Sequence, residues 1–464
     1  MVPHRCVMAL LACAPLAIAR AESGAPDDPV LAALVRDALE NGPDHARARA
    51  EVAAERERVP QAGALPDPTL TLGIQNDGFK GIEIGNHETS FWQVMLTQPL
   101  PWPGKRALRA GAARSLASAA EARLERVRLT TVAEVERGYV ELLLVRSQLE
   151  LLARLETLWR EAEAITRARY EVGAVPQSDV IRAQLERTRL VQQRLALEAN
   201  ERRRVEVLNR LRVHPLDEPI ETTLRLAELR EPPLPPADEA VADAERRSPD
   251  LAEALLSRDA AEQRLDLARR ERYPDFVVSA GVMPRGALEP MWTASVGIAL
   301  PIFSGKKEAV DESSSRREAS AYSEASVRQT VQLRARERHA ALEALLRTLR
   351  LYREALLVQS DAAVRSTVAQ YKVGKVPFAS VLEVMRGLVN DEGGFLETLA
   401  QAQRVAIAQR EVSLDASAAL GGGGMGGATV PASAGMTAGA RAGGGRTEAP
   451  GAAATSGGAS PSGM

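Results

Sequence analysis

Tyr170-Glu171-Val172-Gly173-Ala174-Val175-Pro176 returns as Tyr371-Lys372-Val373-Gly374-Lys375-Val376-Pro377, with Tyr, Val, Gly, Val and Pro each displaced by 201 residues. A long proline-free run precedes each copy and another follows it. Gly adopts the left-handed conformation that ends a helix, and Pro suits the opening of the next. Each copy therefore predicts a sharp turn between two long antiparallel helices. One helical hairpin, duplicated, is the expected body of the chain.

Outward from the turns, further landmarks repeat in the same order. Asn41-Gly42-Pro43-Asp44 pairs with Arg247-Ser248-Pro249-Asp250, and Leu65-Pro66-Asp67-Pro68 with Tyr273-Pro274-Asp275-Phe276. Pro103-Gly104-Lys105 pairs with Ser304-Gly305-Lys306. The offset drifts from 206–208 to 201, so the first copy holds a few extra residues. A repeat of this length governs the architecture and is read before any local feature. The first unit is expected over 22–212, with strands in 68–100 and a helical hairpin over 104–212. The second is expected over 237–420, with strands in 275–301 and a hairpin over 305–420. Residues 213–236, rich in Pro and Glu, form a linker packed outside the helices.

The helices are predicted from Lys105 to about Val172 and from Lys306 to about Val373, returning over Gln177 to Arg212 and Phe378 to Leu420. At 1.5 Å per residue the longer pair reaches about 100 Å. Val132, Val135, Tyr139, Leu142, Val145, Leu149 and Leu152 step by threes and fours, as do Leu342, Leu345, Leu349, Tyr352 and Leu356. That is the spacing of a coiled-coil seam.

Ahead of each hairpin the period changes to two. Leu70, Leu72 and Ile74 alternate with Thr69, Thr71, Gly73 and Gln75; Trp92, Val94 and Leu96 alternate with Gln93, Met95 and Thr97. Phe276, Val278, Ala280 and Val282, then Trp292, Ala294, Val296, Ile298 and Leu300, do the same in the second unit. One face is apolar and the other small or polar. Strands of about ten residues cross a bilayer when tilted, and Trp92 and Trp292 stand where an interfacial aromatic girdle would lie. Four strands cannot close a barrel, and an open sheet edge cannot stand in lipid. Sister copies must supply the missing strands. The loops Asn76 to Glu88 and Pro284 to Pro290 would face outside the cell.

The termini are of other kinds. Residues 1–21 carry His4, Arg5, an apolar run from Cys6 to Ile18 and Ala19-Arg20-Ala21, a secretory signal with its cleavage site before Glu22. Leu10-Leu11-Ala12-Cys13 offers a second reading, a lipoprotein box that would lipidate Cys13. No apolar run is long enough for a membrane helix. Residues 421–464 are Gly, Ala, Ser, Thr and Pro, a tail expected to be disordered.

Composition narrows the function. The formal net charge of −2 argues against nucleic acid, which needs a basic face. Both cysteines, Cys6 and Cys13, lie in the leader, so the mature chain has no thiol chemistry. His4, His45, His87, His214 and His339 are not spaced as metal ligands. With no nucleophile elbow or phosphate loop, neither an enzyme nor a cofactor is expected.

Duplicated strand–strand–helix–turn–helix units with Tyr-x-Val-Gly-x-Val-Pro at the turns resemble the TolC-type outer-membrane efflux factors over roughly residues 30–420. Leu65-Pro66-Asp67-Pro68 and Pro101-Trp102-Pro103-Gly104-Lys105 are most similar to members serving heavy-metal and cation exporters of the RND type. The resemblance implies a mostly α fold with a small transmembrane β portion. In it, a homotrimer builds a twelve-stranded barrel on a twelve-helix tunnel, standing in the outer membrane of a Gram-negative bacterium and reaching into the periplasm. It implies a passive exit duct fed by an inner-membrane pump through a periplasmic adaptor. Val172, Gly173, Ala174, Val175 and Pro176, with Val373, Gly374, Lys375, Val376 and Pro377, would be the tip that meets the adaptor. Tyr371, Glu383, Asp179 and Ser380 would form a gate pointing into the pore. Ser380 stands where some members have Asp, and no Arg closely follows Gly374, so fewer polar links would hold that gate. Two rivals remain at this point: the outlet of a multidrug or ABC-type exporter, and a soluble coiled-coil scaffold without a pore.

Overall fold

The computed structural model describes residues 28–300 and 305–415. The expected signal over 1–21, Cys13 and the tail over 421–464 lie outside the described residues. The chain opens with helices α1 (Pro29–Asn41) and α2 (Pro43–Gly63), then strands β1 (Thr69–Gln75) and β2 (Phe91–Leu100), then the long helix α3 (Lys105–Glu171) and its return α4 (Gln177–Arg212). The pattern recurs as α5 (Ala237–Arg247), α6 (Pro249–Arg270), β3 (Phe276–Arg285), β4 (Leu288–Ile298), α7 (Lys306–Leu351), α8 (Leu357–Lys372) and α9 (Phe378–Glu411).

The paired short helices α1–α2 and α5–α6 were not anticipated. Their joints are the Gly42-Pro43 and Ser248-Pro249 landmarks, with Pro in the first turn and Ser248 Oγ accepting from Leu251 N–H. The core is helical. Leu142, Leu155, Trp159, Leu342, Leu349, Val381, Met385 and Leu399 belong to one buried cluster, so the threes-and-fours spacing does mark the seam. Tyr139, on that seam, donates through its hydroxyl to Asp28. Asp28 also caps α1 and accepts from Thr223, so one buried carboxylate ties α1, α3 and the linker.

Three expectations of extent are corrected. The second long helix is not continuous: a π turn over Tyr352–Leu356 separates α7 from α8. A Cβ on Gly394 of α9 would lie 2.5 Å from the Tyr352 hydroxyl, so the widened turn lets Tyr352 lie against bare backbone. Helix α9 stops at Glu411 rather than Leu420. There Arg126 donates to the Glu411 and Val412 carbonyls at 2.8 and 2.9 Å, and Arg338 to Ser413, which turns the chain away. Lastly, Pro284 and Pro290 sit in strands, and only Gly286 and Ala287 join β3 to β4. A register shift between Met283 and Arg285 accommodates the prolines, which have no N–H for a regular ladder. The linker runs across the helices with Ile220, Leu226 and Leu229 buried. Arg146 holds it at the Ile220 carbonyl and Thr222, both at 2.8 Å.

Candidate functional site

Two regions hold the predicted site residues: the hairpin turns and the sheet. The turns are built alike. Gly173 has φ 73° and Gly374 φ 77°, the left-handed conformation that glycine reaches without strain. Gly173 N–H donates to the Tyr170 carbonyl at 2.9 Å and Ala174 N–H to Arg169 at 2.8 Å. Gly374 and Lys375 repeat these bonds to Tyr371 and Gln370 at 3.0 and 2.9 Å. This is a Schellman closure, satisfying the last helical carbonyls before Pro176 and Pro377 open the return helices. Val172 and Val373 are 79% and 68% exposed, whereas Val175 and Val376 turn partly inward.

Contacts between the hairpins bring the two turns together. Arg169, in the last turn of α3, donates to the Tyr371 carbonyl at 2.7 Å and lies over the Tyr371 ring at 4.7 Å. The Tyr371 hydroxyl donates to Thr166 Oγ1 at 3.0 Å, and its ring packs on Phe378. Tyr371 is only 1% exposed. Its side chain is sandwiched between the two hairpins of one chain. The other expected gate residues are not gathered around it by any hydrogen bond. Glu383 is exposed, Asp179 pairs with Arg182 at 3.8 Å, and half-buried Ser380 caps its turn through its N–H on Pro377. Glu186 and Arg386 add a link between the hairpins, from α4 to α9, at 2.5 Å. Arg169 precedes the first turn and lies 202 residues from Tyr371, so no local signal in the sequence marks it as a partner of that ring.

The sheet is antiparallel in the order β1-β2-β3-β4, so the two repeats meet at β2 and β3. Leu72 faces Val94, Val94 faces Val282 and Val282 faces Trp292 across the ladders. That row is apolar from edge to edge, and it is bare: Leu72 is 71% and Trp292 79% exposed. Trp92 and Trp292 both lie on this face at the loop end of their hairpins. The reverse face carries Thr97 and Ser279, whose hydroxyls bond at 3.0 Å. Among the described residues no helix is long and apolar enough to cross a membrane, and no cluster of His, Cys, Asp and Glu could hold a metal ion.

The chain thus carries two long hairpins and a bare-faced four-stranded sheet, with one hairpin and two strands from each repeat. The profile of the outer membrane efflux proteins matches residues 34–213 and 240–418. The chain belongs to the outer membrane efflux protein family. This efflux protein is 26% identical over 301 residues to nodulation protein T of Rhizobium leguminosarum bv. trifolii, a match covering 60% of this chain and 62% of that relative's length. Its fold is that of solved outer-membrane channels. It superposes on CusC with TM-score 0.71 at 18% identity, covering 83% of this chain and 92% of that one. For VceC of Vibrio cholerae the TM-score is 0.69 at 18% identity, with 83% and 97% covered. For OprN it is 0.69 at 18% identity, with 83% and 90% covered.

Proposed function

We propose that this outer membrane efflux protein is the exit duct of a tripartite export system. Three copies close a β-barrel in the outer membrane of a Gram-negative bacterium, and their hairpins form the tunnel below it in the periplasm. The observation that carries this reading is the continuous apolar face on a four-stranded sheet whose outer strands, β1 and β4, have no partner on their outer edges among the described residues. Such a face has no place in water, and such edges have none in lipid unless paired. The subunit makes and breaks no bond; an inner-membrane pump, of the RND type in this reading, supplies the energy.

The tip residues Val172, Gly173, Ala174, Val175 and Pro176, with Val373, Gly374, Lys375, Val376 and Pro377, meet the adaptor. Exposed valines beside left-handed glycines support this, because they offer small apolar contacts where two backbones can approach closely. Tyr371, Thr166 and Arg169 hold the tip shut, and Glu383 and Asp179 supply carboxylate rings that favour cations in a trimer. Metal cations are the cargo class to test first, on the Pro-Asp-Pro and Pro-Trp-Pro-Gly-Lys resemblance. The test is gene deletion with survival scored on metals and drugs, beside detergent extraction of heat-modifiable trimers. Sensitivity to drugs alone would move the cargo assignment to a multidrug outlet. A monomer soluble without detergent would remove the duct reading altogether.

A further inference from the structure

The joint between sheet and helices is a closed clasp within one chain. Lys105, at the start of α3, is 3% exposed. It donates to Asp275 Oδ1 at 2.7 Å and to the Tyr273 carbonyl at 2.9 Å. Trp102 N–H donates to the same carboxylate oxygen at 2.7 Å, and its ring stacks on Tyr273 at 5.2 Å and Phe276 at 5.5 Å. The clasp fastens the exit of β2 to the entry of β3, which is where the two repeats meet.

The internal repeat predicts a second one. The ladders show how the repeats correspond: Ile74 faces Trp92 as Val282 faces Trp292, and Thr69 faces Thr97 as Val277 faces Gly297. Strand β1 thus maps onto β3, and β2 onto β4, residue by residue. Applied to the contact between β2 and β3, this correspondence sets β4 against a β1. Leu96 opposite Ala280 becomes Val296 opposite Leu72, and Gln98 opposite Val278 becomes Ile298 opposite Leu70. All four are exposed apolar residues of one face. Within one chain β1 and β4 are the two outer strands, so the β1 in question belongs to a second copy. Under the same landmarks Asp67 takes the place of Asp275 and Lys306 that of Lys105.

The second clasp is unmade in the single chain. Asp67 is exposed, and neither it nor Lys306 has an ion pair among the described residues. Gly104 enters the formed clasp at φ 91°, whereas its counterpart Gly305 lies at φ −66°. We infer that Asp67 of one copy and Lys306 of the next form an interchain clasp that locks each seam of the assembly, with β4 paired to β1 in the register above. The inference rests on the oligomeric reading of the duct, which it deepens.

The test is charge reversal with a register control. Asp67→Lys and Lys306→Asp should each lower the temperature at which the detergent-solubilised oligomer dissociates on a gel. The double swap should recover at least half of that loss. In the native-charge background, Leu72→Cys with Val296→Cys should form covalent oligomers under mild oxidation at least tenfold faster than Leu72→Cys with Ile298→Cys. Each single cysteine serves as a blank. A swap no better than the singles, or faster linking in the shifted pair, overturns the clasp and its register. If charge reversal blocks assembly outright, the cysteine pairs still decide. A wild-type chain that never oligomerises sinks the duct reading itself, whereas a stable oligomer indifferent to both charges sinks only the clasp.

Discussion

Arg169 offers the sharpest single perturbation. Its guanidinium spans the two hairpins of one chain, bonded to the Tyr371 carbonyl at 2.7 Å and stacked over that ring at 4.7 Å. Opening the tip by moving the second hairpin off the first must break both contacts. A charge-assisted hydrogen bond in this half-buried setting contributes about 1.5 kcal/mol. The cation–π contact adds about 0.5 kcal/mol. Arg169→Met should therefore release about 2 kcal/mol of closure, or about 30-fold in the open-to-closed ratio. Thr166→Val removes the neutral hydrogen bond from the Tyr371 hydroxyl, and with it the Thr166 hydroxyl's own bond to the Ala162 carbonyl inside α3; the first loss should release about 1 kcal/mol of closure. Arg169→Lys keeps the charge but loses the planar stack and should fall between. The assay is single-channel recording of purified protein in planar bilayers at neutral pH, with the Arg169/Thr166 double variant completing a cycle. Identical open probability in Arg169→Met and wild type, with trimers intact, would refute the reasoning that these contacts hold the tip shut.

The remaining predictions concern other parts of the chain. Gly394→Val should destabilise the fold by about 1–3 kcal/mol, since its Cβ meets the Tyr352 hydroxyl at 2.5 Å, and Tyr352→Ala should relieve much of that loss in thermal melts. Burial raises the Asp275 carboxyl, but the Lys105 and Trp102 N–H bonds outweigh it and hold the group below its ordinary value. A carboxyl depressed in the fold stabilises above its unfolded pKa of about 3.9 and loses that contribution as pH falls through the folded value. Melting temperature should therefore drop more steeply below about pH 4 in wild type than in Asp275→Asn, and parallel curves would count against the clasp. Bulky side chains at Gly173 and Gly374 should cripple export while outer-membrane trimers persist; lost assembly would instead mark these glycines as folding residues. Glu383→Gln should shift the reversal potential in a salt gradient, and an unmoved potential would take Glu383 out of the conduction path.

Much of this protein was legible in the linear chain because the signals are local. A left-handed glycine, a proline in the next first turn and a change of period between about 3.6 and two act over a few residues, so α3, α4 and β1 lie where the sequence places them. The repeat carried the same reading into the second half. Tertiary structure alone decided which side chains meet. Arg169 and Tyr371 are 202 residues apart, and their meeting depends on the phase of helices as long as 67 residues. At 3.6 residues per turn, a small phase drift over that length turns an exposed face inward. For that reason only the packed hairpins reveal that Tyr371 lies between them. The π turn at Tyr352 needed the bare backbone of Gly394 on another helix, and the end of α9 needed Arg126 and Arg338 reaching in from elsewhere. A chain can announce where it turns within a few residues; what its long arms grip is settled only when they lie side by side.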